Sequence, residues 1–302
     1  MRSKTVKFKR SIESVFEEFL AEKAADGLSS ATLRCYRGHF EAVAAYLDVE
    51  TPVELVTDRQ IKLAIADMAG TDLSRNSIRS YTATLKTFFS WCRQEGLCDV
   101  EIRLFKGEET VPETYTDREL QLLLKHPARG CTFAQMRSWA IVNLLVNNGL
   151  RAASVRSIKV KDVLLDQSAI MLRHTKRRRA QMLPLSPAMA AVMREYLHAR
   201  DGDPEDWLFP ASDGGQMSEG GFRTSIVRYN RSRGVDKTGI HAFRHTFARL
   251  YLVDCGGDAL KLQRLLGHST LKMTQHYVKL FDDDLIADFQ HHSPLERIKA
   301  KK

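Results

Sequence analysis

Apolar residues in the first hundred positions recur at the three- and four-residue spacing of amphipathic helices. Phe16, Phe19 and Leu20 belong to one such face, and Leu85 and Phe89 belong to another. The breaks between these runs are rich in glycine, proline and serine, which end or cap helices, and they fall at residues 27–30, 51–52 and 70–74. The pattern predicts four or five short helices.

Little apolar periodicity is present in residues 101–115, which contain Gly107, a pair of glutamates and Pro112. This composition is typical of an exposed linker, so we expect a helical domain over residues 1–100 and a second domain that starts at residue 116. Thr116 and Glu119 have the spacing of a capping box. They predict the start of a long helical stretch that ends at Gly149.

After residue 158 the pattern changes to short strand-like runs. Residues 168–172 and 181–185 are joined by a strongly basic turn, which predicts an antiparallel hairpin. Pro184 cannot donate a ladder hydrogen bond and therefore favours an edge strand. Helical patterning then returns, interrupted by a glycine-rich loop at residues 213–221. We expect a two-domain, mainly α protein whose second domain is α+β with a small antiparallel sheet.

The charge distribution indicates a polyanionic partner for the second domain. The chain of 302 residues carries a formal net charge of +9. Residues 1–110 hold 16 Lys and Arg against 17 Asp and Glu, whereas residues 111–302 hold 30 against 20. A basic excess confined to one part of a chain is typical of contact with nucleic acid.

Cysteine usage and hydropathy point to a cytosolic protein. The five cysteines are odd in number and widely spaced, so we predict neither a disulfide framework nor a zinc site. No apolar run approaches the ~20 residues of a membrane helix, and the N-terminus lacks the apolar segment of a signal peptide. We expect a cytoplasmic location and no membrane contact.

Side chains near the C-terminus suit attack on a phosphodiester, which requires a nucleophile, cations for the non-bridging oxygens and a proton for the departing oxygen. Tyr277 can be the nucleophile, although a phenol of pKa about 10 needs a base or a positive field. On a helix His241 and Arg244 share one face, where the guanidinium can hold two phosphate oxygens. His268 precedes Tyr277 by nine residues, about 13 Å on a straight helix. We therefore predict a bend at residues 272–274.

Two upstream cations complete the predicted site. Lys176 is the single lysine among the arginines of the basic turn. Because neighbouring positive charge can lower a lysine pKa toward neutrality, Lys176 suits a general acid. Arg151 follows the helix stop at Gly149.

His241 and His245 lie four residues apart, a spacing that can bind a metal ion on a helix, but the glutamate of an H-E-x-x-H motif is absent. We therefore predict no metal site and interpret His245 as a hydrogen-bonded structural residue.

At these positions the chain resembles the tyrosine recombinases, the family that includes phage integrases and the bacterial Xer proteins. The likeness rests on GLR at residues 149–151, HAFRHTF at 241–247, LGH at 266–268, Lys176 and Tyr277. It implies a helical, SAM-like core-binding domain and a catalytic domain of the DNA breaking-rejoining fold, which close as a clamp around duplex DNA.

The resemblance also implies roles for six side chains: Tyr277 forms a 3′-phosphotyrosyl bond, Arg151 and Arg244 hold the phosphate, Lys176 protonates the 5′-oxygen, His241 assists proton transfer, and His268 binds a phosphate oxygen. Because the covalent bond keeps the phosphodiester energy, neither ATP, a metal nor another cofactor is needed. The expected partner is a double-stranded recombination site. On two synapsed sites we expect a homotetramer, and without DNA a monomer or weak oligomer, with accessory DNA-bending proteins as further partners.

One position departs from the family pattern, because Ser154 stands three residues after Arg151, where an acidic residue is common. Two alternatives to recombination stay open, and the missing acid bears on the second. The first is DNA relaxation of the type IB topoisomerase kind, and the second is a catalytically silent DNA-binding protein.

Further DNA contacts are predicted on basic surfaces. A repeating face in the first domain and the basic turn in the second supply the candidates, which are Arg75, Arg79, Lys86, Arg177, Arg178 and Arg179. For the first three the alternatives are contact with the DNA backbone or a groove and scattered surface charge. For the three arginines of the turn they are a nonspecific phosphate contact and a solvated charged turn.

We place the catalytic domain at residues 116–281. The tail, residues 282–302, has an amphipathic pattern that suits docking on a neighbouring protomer or packing on its own domain.

Overall fold

The computed structural model describes residues 10–108, 111–173, 180–267, 270 and 277. Contacts divide the chain into two compact units, residues 1–110 and residues 111–302. Each unit has its own hydrophobic core.

The described part of the first unit consists of helices, each begun by a hydroxyl side chain that caps it. The α-helices are α1 (Ile12–Ala25), α2 (Ser30–Ala44), α3 (Asp58–Ala69) and α4 (Arg75–Gln94), with a 3-10 turn at Val53–Leu55. The caps are Ser11, Ser29, Thr57 and Ser74. Phe16 stacks on Phe40 with ring centroids 3.9 Å apart and meets Phe88 edge to face. The predicted helical unit is confirmed.

Both ends of the segment predicted as a linker contribute side chains to cores. Ile102 is buried in the core of the first unit, and Tyr115 is buried in the core of the second. The contact division lies between them, at Thr110 and Val111. The boundaries at residues 100 and 116 stay a prediction.

The second unit surrounds α6 with shorter helices. Its α-helices are α5 (Asp117–Leu124), α6 (Phe133–Asn148), α7 (Ala152–Arg156), α8 (Pro187–Arg200), α9 (Glu219–Ser232), α10 (Ile240–Arg249) and α11 (Ala259–Leu266). Short 3-10 turns cover Val160–Asp162 and Leu165–Gln167, and a π-helical turn, Leu250–Asp254, continues α10. α6 is buried over most of its length after the first turn and packs against α8, α9 and α10.

A small antiparallel sheet lies on this helical core. Its strands are β1 (Val163–Leu164), β2 (Ala169–Leu172) and β3 (Gln181–Pro184), in the order β1-β2-β3. The register pairs Ala169 with Pro184 and Leu172 with Gln181. The predicted hairpin and the edge position of Pro184 are confirmed. The sequence did not predict β1, because two residues carry no readable alternation.

Two local predictions were wrong in extent. The stretch from Thr116 to Gly149 is not one long helix but α5 and α6, separated by residues 125–132, where Pro127 has no amide hydrogen to donate and Gly130 adopts a φ of +76°. The glycine-rich loop ends early, because Ser218 caps α9 and draws Gly220 and Gly221 into the helix. The predicted class, a mainly helical chain with a small antiparallel sheet, is confirmed. None of the helices in the described ranges is long and apolar enough to span a membrane.

Candidate active site

A tight turn after α6 carries Arg151. Gly149 ends α6 with a left-handed φ of +59°, and Arg151 then becomes the N-cap residue of α7. A Cβ on Gly149 would lie 2.5 Å from the Phe247 ring and 2.9 Å from a Leu266 methyl group. Glycine is therefore required both for the backbone conformation and for the close approach of α10 and α11.

Arg244, in the middle of α10, contacts the C-terminal ends of α6 and α11. Its guanidinium projects from α10 and donates to the carbonyl oxygens of Gly149 at 3.0 Å and Leu266 at 2.9 Å. The residue is only 6% exposed. Burial, and after it the positive charge of Arg151, lowers the pKa of Arg244 to about 10, while Tyr277 opposes part of that shift. At neutral pH the group keeps its charge.

Tyr277 is buried beside this guanidinium, with 5% of its surface exposed, in a cluster that includes Phe247 and Leu266. Burial raises the pKa of its hydroxyl, and the charge of Arg244, a hydrogen bond to Arg244 and the charge of Arg151 offset only part of the rise. The phenol is therefore protonated at neutral pH. The structure brings Arg151, Arg244 and Tyr277 into one electrostatic neighbourhood.

The cations of this cluster lack an acidic partner within the described ranges, where no carboxylate forms an ion pair with Arg151 or Arg244. Ser154 stands where an acid is expected three residues after Arg151. Its backbone carbonyl oxygen accepts a hydrogen bond from the hydroxyl of Ser157. Buried charge is costly unless it is compensated, and two backbone carbonyls compensate only part of it. The site therefore favours an anion.

The other predicted catalytic residues divide between described and undescribed parts of the chain. His241 is exposed in the first turn of α10, one turn before His245. Lys176 and His268 lie outside the described residues, as do Arg177, Arg178 and Arg179, the predicted bend at 272–274 and the tail at 282–302.

Both ends of the basic turn are anchored to the rest of the fold. Arg173, the last described residue before the turn, donates from Nε to Asp162 Oδ1 at 2.5 Å, and Asp162 is 2% exposed. After the turn, Gln181 donates its amide to the carbonyl oxygen of Arg264 at 2.6 Å, near the C-terminus of α11. The first contact ties the hairpin to the 3-10 turn at Val160–Asp162, and the second ties it to α11.

In the first unit, the predicted DNA contacts Arg75, Arg79 and Lys86 are all exposed on α4. Arg75 also interacts with its own unit, because it lies 5.0 Å from the centroid of the Phe105 ring and 3.5 Å from Glu108. Their roles in DNA binding stay predictions.

Sequence reasoning interpreted His245 as structural and left it out of the site. In the structure its Nδ1 lies 3.0 Å from the Tyr277 hydroxyl oxygen. The sequence did contain a sign that His245 could belong to the site. His245 follows His241 by four residues and is adjacent to Arg244, so on a helix it lies on or beside the face that carries them.

Family models match both units. The phage integrase family model matches residues 113–283, and the phage integrase N-terminal SAM-like domain matches residues 15–96. Among curated relatives, "Tyrosine recombinase XerC" of Corynebacterium glutamicum is 29% identical over 274 residues, which cover 89% of this chain and 87% of the relative.

Solved structures of tyrosine recombinases share the fold. The Tn1549 transposon integrase in complex with a circular intermediate DNA has a TM-score of 0.75 at 17% identity, covering 95% of this chain and 99% of that chain. A lambda integrase tetramer bound to a Holliday junction has a TM-score of 0.71 at 18% identity, covering 90% and 78%. With its catalytic unit and its N-terminal unit both matched, the chain belongs to the phage integrase family of tyrosine recombinases and is a site-specific DNA recombinase.

Proposed function

We propose that this recombinase cleaves and rejoins DNA through a 3′-phosphotyrosyl intermediate on Tyr277. The observation that carries the proposal is the buried contact between Tyr277 and Arg244, with Arg151 near enough for its charge to affect both groups. A phenol beside two cations that lack a carboxylate partner in the described ranges suits a phosphodiester, whose negative charge compensates the cluster.

Each strand exchange consists of two transesterifications. The Tyr277 oxygen attacks phosphorus, the bond from phosphorus to the 5′-oxygen breaks, and Lys176 gives that oxygen a proton. Arg151 and Arg244 hold the non-bridging oxygens, His268 binds one of them and His241 assists proton transfer. In rejoining, a 5′-hydroxyl attacks the phosphotyrosine and the same steps run backwards. Bond energy is conserved throughout, so neither ATP nor a metal is required.

Domain roles follow from the same proposal. Residues 1–100 bind DNA, residues 101–115 link the domains, residues 116–281 carry the chemistry and residues 282–302 dock on a neighbouring protomer. The exposed face of α4, with Arg75, Arg79 and Lys86, contacts the DNA backbone. The family-model matches at residues 15–96 and 113–283 support this division.

The proposed partner is duplex DNA carrying a recombination site, and the active assembly is a homotetramer on two synapsed sites. The lambda integrase tetramer on a Holliday junction supports this assembly by analogy of fold. Curated relatives named tyrosine recombinases favour recombination over relaxation of supercoils or silent binding. Accessory DNA-bending proteins and a cytoplasmic location complete the proposal.

The test uses covalent capture. Nicked duplexes with a randomised core are incubated with the protein, denatured in detergent, and the DNA that stays attached is sequenced to supply a defined substrate. Wild-type protein should form the adduct, and Tyr277→Phe should bind the duplex without forming it. Tyr251→Phe is the matched control, because this neighbour of Phe247 loses the same hydroxyl group and should keep the adduct.

Three outcomes would contradict the proposal. Adduct of undiminished yield in Tyr277→Phe would exclude Tyr277 as the nucleophile. Tight binding by wild-type protein with no adduct would support a silent DNA-binding protein. Relaxation of supercoiled DNA without recombinant products would support topoisomerase activity.

A further inference from the structure

Immediately after Arg244 on α10, His245 lies against the oxygen atom that the proposed reaction uses as its nucleophile. The distance from His245 Nδ1 to the Tyr277 hydroxyl oxygen is 3.0 Å, and the two ring centroids are 5.6 Å apart. The imidazole is partly buried. A general base must lie within about 2.6–3.2 Å of the oxygen whose proton it takes, and His245 meets that requirement.

The backbone on both sides of His245 is held in place. Arg244 is fixed by its hydrogen bonds to the carbonyl oxygens of Gly149 and Leu266. On the other side, the hydroxyl of Thr246 donates to the Ala242 carbonyl oxygen and accepts from the Tyr115 amide at 2.8 Å. The helical backbone that carries His245 is therefore held by the packed core of the second unit.

A buried tyrosine needs a proton acceptor before it can attack phosphorus. Burial raises the pKa of Tyr277 above its ordinary value in spite of the two nearby arginines. An anionic attacking oxygen is therefore scarce at neutral pH, and removal of the proton during attack lowers the barrier. A neutral imidazole with its proton on Nε2 presents a lone pair at Nδ1, the atom that faces the hydroxyl group.

We propose that His245 is a catalytic residue that accepts the Tyr277 proton on Nδ1 during DNA cleavage and returns it during rejoining. This inference rests on the proposed function. In cleavage the bond from the Tyr277 oxygen to phosphorus forms, the proton of that oxygen moves to Nδ1, and the bond to the 5′-oxygen breaks with a proton supplied by Lys176. In rejoining the 5′-hydroxyl attacks phosphorus and gives its proton to Lys176, while the bond from phosphorus to the Tyr277 oxygen breaks and that oxygen takes its proton back from Nδ1.

Bound DNA supplies a negative charge beside the tyrosine that gives its proton to His245. Arg244 and Arg151 are close enough for their charges to act on Tyr277. A phosphodiester held by those arginines brings a negative charge that compensates the positive charge gained by the imidazole during proton transfer. His241 lies one turn before His245 on the same helix, in an exposed position.

The experiment measures single-turnover cleavage of the captured DNA sequence by full-length protein. His245→Asn keeps a hydrogen-bonding amide near the position of Nδ1 but cannot act as a base, and His245→Gln serves as a second variant. Both should bind the duplex as wild-type does and cleave it roughly 100-fold more slowly or worse. Replacing Tyr277 with difluorotyrosine, a more acidic phenol, should then accelerate His245→Asn at least tenfold more than it accelerates wild-type protein.

A second substrate separates the two ends of the reaction. In a 5′-bridging phosphorothiolate the leaving sulfur needs no proton, so this substrate should restore Lys176→Ala and leave His245→Asn slow. Wild-type cleavage rates in both His245 variants, equal acceleration of wild-type and variant by difluorotyrosine, or restoration of His245→Asn by the sulfur substrate would each overturn the role of His245. Absence of any wild-type adduct would instead overturn the proposed function.

Discussion

The guanidinium of Arg244 donates a hydrogen bond to the carbonyl oxygen of Gly149, 3.0 Å away. These residues are 95 positions apart, yet the contact joins the start of the turn that carries Arg151 to the helix that carries His241 and His245. A change at Gly149 should therefore disturb Arg151 and Arg244 together, even though glycine itself has no functional side chain.

Gly149→Ala should destabilise the protein by roughly 2–5 kcal/mol, the sum of a left-handed backbone penalty and overpacking against Phe247 and Leu266. Gly256→Ala is the matched control, because its φ of +60° is nearly the same and no atom lies within 4 Å of the added Cβ. Only the backbone penalty of about 1–2 kcal/mol should remain there. Urea unfolding measures both changes, and equal losses would show that the packing around Gly149 relaxes without cost.

Asp162→Asn should weaken the anchor at the start of the basic turn. The buried carboxylate accepts hydrogen bonds from Arg173 Nε and from the Lys159 amide, and an asparagine amide nitrogen cannot accept one of them. We expect a loss of about 1–3 kcal/mol in unfolding free energy and slower DNA cleavage, because the turn carries Lys176. Asp166→Asn, an exposed neighbour, should change neither quantity. Cleavage at the wild-type rate in a destabilised Asp162→Asn protein would confine Asp162 to a structural role.

A pH-dependent contact joins the residues just after α5 to α8. The hydrogen bond to Glu195 raises the pKa of His126 above its ordinary value, with a donor–acceptor distance of 2.6 Å. Stabilisation from a raised pKa is complete below the unfolded value and is lost as pH rises through the folded value. Wild-type protein should therefore exceed His126→Gln in stability at about pH 5.5 and equal it at about pH 8.5.

Because both side chains are about half exposed, the difference at low pH should stay below about 1 kcal/mol. Glu195→Gln should remove the same pH dependence from the opposite partner. A gap between wild-type and His126→Gln that persists unchanged at high pH would rule out the ion pair as its origin.

Features encoded by neighbouring residues were predictable from the sequence. The capping box of Thr116 and Glu119 forms as its spacing predicts, and Gly149 ends its helix in the left-handed conformation. Both depend on contacts within a few positions, which a linear pattern records. The break between α5 and α6 is also local, since Pro127 and Gly130 mark it, but the sequence prediction joined the apolar runs on either side into one helical stretch.

Contacts between distant positions were not predictable in the same way. The motif residues identified Arg244 and Tyr277 as a pair, but not the carbonyl oxygens that hold Arg244, since every residue has such an oxygen. The sequence analysis interpreted His245 as a hydrogen-bonded structural residue, because its spacing from His241 lacks the glutamate of a metal motif. Its contact with Tyr277 depends on how the chain returns to α10 after 32 residues, which no local spacing reveals.

The two carbonyl contacts of Arg244 also determine which substitutions can remove its support. A guanidinium held by a carboxylate loses its partner when that one side chain is replaced, whereas a backbone carbonyl oxygen is present whatever the side chain. Because Gly149 and Leu266 hold Arg244 through their main chain, substitution of a neighbouring side chain such as Ser154 leaves both hydrogen bonds in place. The sensitive feature is the position of the two helix ends, which the absence of a side chain at Gly149 allows to come close.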